Sequence, residues 1–405
     1  MLAILATSWN DRLLRLSFLS VMLMGVAVAS LTPFLSVIGI EILGFSPAAF
    51  ALITTAGALI SVAASVLVGI FSDQTGRYRE VLLFCNGAGI AGAVAMFLAP
   101  AQVVFILAHV VLFPLGAATF TQYFAMARLA AGRNPALDQD VSLSMIRAAF
   151  SGAFGLTPPI LAIGIAAGMP LLSVYGVVAV INLVVFALVF RNWPQDETAF
   201  SQRSGIGFFR ALAELSHPQV LIRLLLVATV LAVNTLYNIL LGLLILNTLG
   251  GTEADVGWFA GGVALVEVPF MLGAAMVLRH VTRSGMILIG AVIYAGFLAG
   301  LAAMPDMQSA WVMIIPGGIS AGIILSVSVG YVQELVAARP GAGSSLVSVA
   351  HFTGTMIASA ILAAAVQVTD FQGTAWIGAL LGLLAGCLLF LLDGAVLRKP
   401  APVVG

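Results

Sequence analysis

Charge is what this sequence has least of. Lys and Arg together number 16, Asp and Glu also 16, and the four types make up 8% of 405 residues. A soluble domain carries about 25%. With hydrophobic residues at 61%, the chain has too few polar groups to cover a water-facing surface. The same content excludes a disordered chain. The balance of 16 against 16 leaves no basic surplus for nucleic acid. Histidine is scarce at four and cysteine at two. Cys85 and Cys387 sit inside apolar runs, where a thiol acts as a small packed hydrophobe, and no cysteine pattern points to a disulfide framework or a metal site. No G-x-x-x-x-G-K-[ST] run is present, so ATP is not expected to power the protein directly. No bound cofactor is expected.

What the chain has instead is long apolar runs. A spanning helix needs roughly 20 mostly apolar residues. Twelve such runs are read at 15–40, 47–71, 81–99, 102–127, 142–168, 170–190, 220–247, 255–278, 285–304, 308–335, 343–367 and 373–396. The first is too long for a signal peptide and is followed by no small-residue cleavage site. The expected fold class is therefore an all-α integral membrane protein. The basic residues, from Arg12 and Arg15 through Arg191 and Arg279 to Lys399, all fall on one set of helix ends. The alternate loops carry Glu41, Glu253, Asp255, Asp306 and Asp370. Positive charge inside then predicts both termini in the cytoplasm. Trp258, Trp311 and Trp376 open spans at the outer face, and Trp9 and Trp193 flank spans at the inner face, as interfacial anchors do.

One long polar stretch, 191–219, divides the chain into a six-helix bundle at 1–190 and a second at 220–405. The halves look related. Gly44, Phe45 and Ser46 before the second run match Gly250, Gly251 and Thr252 before the eighth. Phe150, Ser151 and Gly152 match Phe352, Thr353 and Gly354. Duplicated halves are a plan of secondary transporters, with the substrate site at the half interface near the midplane.

The loop after the second run carries Gly69, Asp73, Gly76, Arg77 and Arg79. It resembles the loop signature of the major facilitator superfamily, which implies two pseudo-symmetric six-helix bundles. Asp73 can pair with an arginine and Gly76 permits a tight turn, so the loop reads as a lock between the bundles. The matching loop of the second half keeps Arg279 and Arg283 but lacks the acid, and a weaker lock is expected there. A narrower resemblance is to the bacterial sugar efflux transporters. It rests on Asn234 to Tyr237, Leu265 to Pro269, Val332 to Leu335 with Pro340 to Gly343, Gln122 to Arg128, and Arg147 with Pro158 and Pro159. It implies proton-linked export of sugars across a bacterial inner membrane. The chain departs from that pattern at Leu240 and Val349, with Asn238 and His351 close by, which leaves the particular sugar open.

Glu267 is the one acid half way through a span. An unpaired charge there costs roughly 2.5–3.5 kcal/mol. Burial favours the neutral acid, so Glu267 reads as the proton-coupling carboxylate, a sugar acceptor, or both, with a paired structural acid as the plainer reading. Asn234, Tyr237 and Asn238 at i, i+3 and i+4 share a face of the seventh span and offer donors and acceptors to sugar hydroxyls, or to neighbouring helices. Asp73, Gly76, Arg77, Gln122, Arg128, Arg147, Gln333 and Glu334 lie near the basic ends and read as gate or lock residues. Arg147 by default snorkels to the surface. His351 is a further titrating candidate, against a packed structural role. His109, Asn182 and Tyr294 read as structural. Thr32–Pro33, Pro114, Pro158–Pro159, Pro269 and Pro316 are expected to interrupt spans.

The expected function is an exporter of sugars or small glycosides with protons as coupling ion. Its partners would be the substrate and the bilayer, with no nucleic acid, and it would act as a monomer. A multidrug exporter of amphipathic compounds is the alternative in the same class, and a transport-inactive sensor is a second. An intramembrane enzyme is disfavoured, because such enzymes cluster several acids and histidines.

Overall fold

Twelve helices in the computed structural model are long and apolar enough to cross a membrane. The structure describes residues 11–120, 122–124, 126–127, 139–193, 217–335 and 340–394. In chain order the helices are α1 Arg12–Leu31, α2 Pro47–Thr75, α3 Tyr78–Leu98, α4 Gln102–Phe124, α5 Gln139–Ala166 and α6 Ser173–Asn192. They continue with α7 Pro218–Asn247, α8 Glu253–Val277, α9 Arg283–Ala303, α10 Met307–Glu334, α11 Pro340–Ala365 and α12 Phe371–Asp393.

Their starts are written in short polar residues. Asp11 accepts from the backbone N–H of Leu13 and Leu14 at 3.0 and 2.9 Å and caps α1. Ser46 caps α2, with Pro47 in the first turn. Asp370 caps α12 through the Gly373 N–H at 2.7 Å. Asp306 caps α10, accepting from both the N–H and the hydroxyl of Ser309 at 2.8 Å. The backbone N–H of Ser309, then its hydroxyl, hold the Asp306 carboxyl below the usual carboxylate range. A carboxyl depressed by folding stabilises the fold above its unfolded pKa and loses that contribution as pH falls through the folded value. Asp306→Ala should therefore lower the melting temperature at neutral pH, with the difference from wild type shrinking as the buffer is made acidic. Thermal unfolding of both proteins across that pH range checks it.

Chain breaks follow backbone chemistry. Proline without an N–H ends α1: Thr32 closes the last turn onto Val28, Pro33 lies in the turn, and a π-helical segment, Val37–Ile42, follows. The first apolar run is thus two pieces. Pro158, Pro159 and Pro269 correct the expectation, because all three lie inside unbroken helices. They remove donors, yet the neighbouring intrahelical bonds have no water to compete with in an apolar span. Gly44 and Gly250 both take left-handed backbone, with φ +71° and +66°, so the matched residues before α2 and α8 make the same turn.

Contacts sort the chain into two units, Met1–Ile206 with Glu253–Gly261, and Gly207–Thr252 with Gly262–Gly405. Within the first, α1 packs on α5 and α6, and α3 on α6 and α4. Within the second, α7 packs on α11 and α12, and α9 on α12 and α10. Each pairing recurs six helices later, as a duplicated bundle requires. Trp258 and Trp376 are exposed, consistent with anchors. Trp193 corrects the anchor reading, because it is buried in a core of the first unit with Leu13, Tyr78 and Tyr123. Its large ring fills space that a small side chain would leave open. Trp9 lies outside the described residues.

Candidate transport site

Polar groups lie inside the spans of both units: in the first, Asn86 donates to the Tyr123 hydroxyl at 3.0 Å, and in the second they are carried by α7, α8 and α9. On α7, Asn238 donates from Nδ2 to Oδ1 of Asn234 at 2.9 Å and to its backbone carbonyl at 3.0 Å. The two amides are half-buried and lock one another. The remaining NH2 of Asn234 and carbonyl oxygen of Asn238 form a donor and an acceptor side by side, a set that matches one sugar hydroxyl. Tyr237 goes elsewhere. At about 100° of rotation per residue it lies a quarter-turn and more from Asn238. It is 4% exposed, its ring set edge-on to Phe297 at 5.1 Å and to Tyr294 at 6.4 Å between centroids. Its ring is therefore turned toward α9 and buried there, while the amide pair is half-buried.

Glu267 is half-buried in α8 and lies within electrostatic reach of Tyr237 and Tyr294. Gly322 of α10 sits directly against its backbone: a Cβ there would meet the Glu267 carbonyl oxygen at 2.6 Å. One turn earlier, a Cβ on Gly318 would meet Val266 Cβ at 2.5 Å and the Val263 carbonyl at 2.7 Å. Small residues four apart let two membrane helices touch backbone to backbone. The Gly318-x-x-x-Gly322 spacing was available in the sequence as a signal for this contact.

The basic ends hold the gate and lock candidates. In the first unit, Gly76 caps α2 with φ +69°. Arg77 is exposed at the start of α3, and the side chain of Asp73 lies outside the description. Arg79 donates to the Phe190 carbonyl at 2.8 Å and lies over the Phe190 ring, tying α3 to α6 inside one unit. Gln122 is buried over Gly69, and Arg147 is exposed with its guanidinium 5.8 Å from the Phe124 ring. Arg128 lies outside the described residues.

In the second unit, Gln333 is exposed and Glu334 pairs with Arg283 at 2.6 Å. The loop that lacks an acid of its own thus takes one from α10. Beside it Arg223 of α7 binds Asp393 of α12 at 2.8 Å, and the Tyr331 hydroxyl of α10 donates to the same carboxylate at 2.7 Å. Asp393 was not singled out from the sequence, since an acid at a basic end has no visible partner until the helices pack. Asp393→Ala takes the carboxylate from two partners, Arg223, which keeps its bonds to the Gln219 and Leu392 carbonyls, and the Tyr331 hydroxyl, whereas Arg223→Ala leaves Asp393 its tyrosine. The first should destabilise more, with a coupling on the order of 1 kcal/mol in a double-mutant cycle of thermal or chemical unfolding.

His351 lies on an exposed side of α11. His109 fits its structural reading, its ring bonded to the Phe105 carbonyl at 3.0 Å and to the Tyr175 hydroxyl at 3.3 Å. Among the described residues no group of three or more His, Cys, Asp or Glu side chains is placed to hold a metal ion.

Twelve helices long and apolar enough to span, in two units with the same internal pairing, follow the plan of secondary transporters. A family model described as Major Facilitator Superfamily matches residues 17–243, and the chain belongs to that superfamily. It is 25% identical over 372 residues to a protein named sugar efflux transporter A from Escherichia coli strain K12, covering 90% of this chain and 92% of that one. It is 24% identical over 370 residues to a putative sugar efflux transporter from Deinococcus radiodurans, covering 87% and 91%. Among solved structures, the nucleoside transporter NupG superposes with a TM-score of 0.78 at 14% identity, covering 95% of this chain and 98% of that one. That likeness shows the fold.

Proposed function

We propose that this protein is a proton-coupled exporter of sugars or small glycosides, working by alternating access in a bacterial inner membrane with both termini in the cytoplasm. The observation that carries the reading is a carboxylate, Glu267, half way along a span and in the same unit as the Asn234–Asn238 amide pair. Protons entering from outside would load Glu267, and sugar would leave in exchange. The amide pair supplies hydrogen bonds in place of water to sugar hydroxyls, and Tyr237 anchors α7 to α9 through its ring contacts. Relatives named sugar efflux transporters support the substrate class. Asp73, Gly76, Arg77, Gln122, Arg128, Arg147, Gln333 and Glu334 serve the gate at the basic ends, and His351 is a further candidate there.

The test is counterflow in proteoliposomes, with labelled lactose and glucose run beside a cationic dye. Trans-stimulated sugar uptake is expected. Dye exchange with no sugar exchange would move the assignment to a multidrug exporter.

A further inference from the structure

Four phenyl rings of the first unit form a line between α4 and α5. Phe124 lies 5.0 Å from Phe120 between centroids, Phe120 lies 5.3 Å from Phe150, and Phe150 lies 6.3 Å from Phe154. The guanidinium of Arg147 stands at one end, 5.8 Å from the Phe124 ring. All four rings are half-buried, whereas packing in the same unit closes completely over Phe34, Phe50 and Phe105. Lipid does not account for the open sides. On α5 the lipid-facing side is marked by Leu156, Ile160 and Ile163, which are 55%, 64% and 58% exposed. At about 100° per residue, Arg147, Phe150 and Phe154 stand about 110–170° round the helix from that side. Arg147 is nevertheless exposed, so this inner side is open at the basic end. From there the line runs to Phe154, near the middle of the spanning segment Met145–Ala166. Apolar surface left open where lipid does not cover it marks a place where another molecule binds.

The chemistry of the line is uneven. The rings offer apolar faces and no hydroxyl. The group at the end is a cation with several N–H donors, and among the described residues no acid pairs with it. An occupant must be apolar along most of its length and rich in acceptors at one end, and Arg147 opposes a positive charge on it. A bare hexose fails the first condition, because hydroxyls ring it. A cationic amphiphile fails the last. An uncharged glycoside with an aryl aglycone meets all three. We infer that this line binds such a glycoside, the aglycone lying along the phenyl rings and the sugar hydroxyls accepting from Arg147. The surface belongs to the first unit and is additional to the Asn234–Asn238 pair of the second. It deepens the proposed function: it rests on glycosides as substrates and names the class that the rings select.

The test measures binding to the full-length protein in lipid nanodiscs by equilibrium dialysis, with binding to empty nanodiscs subtracted. The probes are labelled 4-nitrophenyl β-glucoside, methyl β-glucoside and a cationic dye. Wild type should hold the aryl glucoside about 10-fold more tightly than the methyl one. Phe120→Leu and Phe154→Leu keep an apolar side chain and remove the ring face. Each should weaken the aryl glucoside about 2- to 10-fold and leave the methyl glucoside unchanged, since a well-placed ring pair adds that much beyond buried area. Arg147→Gln should weaken both glucosides. Phe84→Leu, at a ring 67% exposed on α3, is the matched control and should change neither. Equal wild-type affinity for the two glucosides, or an aryl preference that survives in both leucine variants, overturns the inference and leaves the sugar reading standing. Dye bound where neither glucoside binds sinks the sugar reading and the inference with it.

Discussion

Glu267→Gln is expected to bring proton-driven efflux down to background while sugar exchange across liposomes without a gradient continues. Glutamine has the size of glutamic acid and can hydrogen-bond like the neutral acid, but it cannot ionise. Exchange needs only the neutral form to carry sugar across and back, whereas net efflux needs the proton taken up on one side and released on the other. A charge in the bilayer interior costs roughly 2.5–3.5 kcal/mol, so removing it should leave thermal stability equal to or above that of wild type. If Glu267 were only a structural acid, exchange and net efflux would fall together and stability would drop. Counterflow, pH-jump efflux and a melting curve on one preparation separate these outcomes.

Gly322→Leu should cut transport about 100-fold without reducing the amount of folded protein in the membrane to the same extent. The first added carbon would stand 2.6 Å from the Glu267 carbonyl oxygen and 3.1 Å from both the Met271 nitrogen and Phe270 Cβ. Two of those atoms are backbone, so no rotamer change relieves the clash. Carbon contacts settle at about 3.5–4.0 Å, and α8 must back away by about 1 Å. Overpacking of that kind costs on the order of 1–3 kcal/mol, which a bundle of this size survives. A misplacement of about 1 Å at a reacting group can cost 100-fold in rate, and the group moved here is the proposed proton carrier. Gly296→Ala on α9, where an added Cβ meets nothing within 4 Å, is the matched control and should transport as wild type does. Equal losses in both variants would show a general intolerance and remove Gly322 from the argument.

The sequence makes the helices legible because a membrane span is a one-dimensional signal: length and hydropathy suffice, and each of the twelve runs holds a helix long enough to span, although the first also holds a turn and a π-helical piece. Asn234 and Asn238 could be read together because four residues on a helix always meet. Tyr237 could not. Its spacing allows either side of the amide pair, and the choice is made by Tyr294 and Phe297 on a helix more than fifty residues away. Pro158 and Pro159 misled for a related reason, since the rule that proline ends helices comes from chains whose freed carbonyls can turn to water. Glu334 shows the remaining gap. Read along the chain, the loop before α9 lacks its acid. In three dimensions α10 supplies it to Arg283, and no local pattern announces a partner fifty residues away.

The ties at the basic ends of the second unit reach four helices: α7 through Arg223, α9 through Arg283, α10 through Tyr331 and Glu334, and α12 through Asp393. These ties join four helices at one end like posts under a single rail, and α8, which bears Glu267, meets one of those posts, α10, backbone to backbone at Gly318 and Gly322. Any movement of α8 past α10 then runs along that glycine seam, with the rail holding α10 to its neighbours.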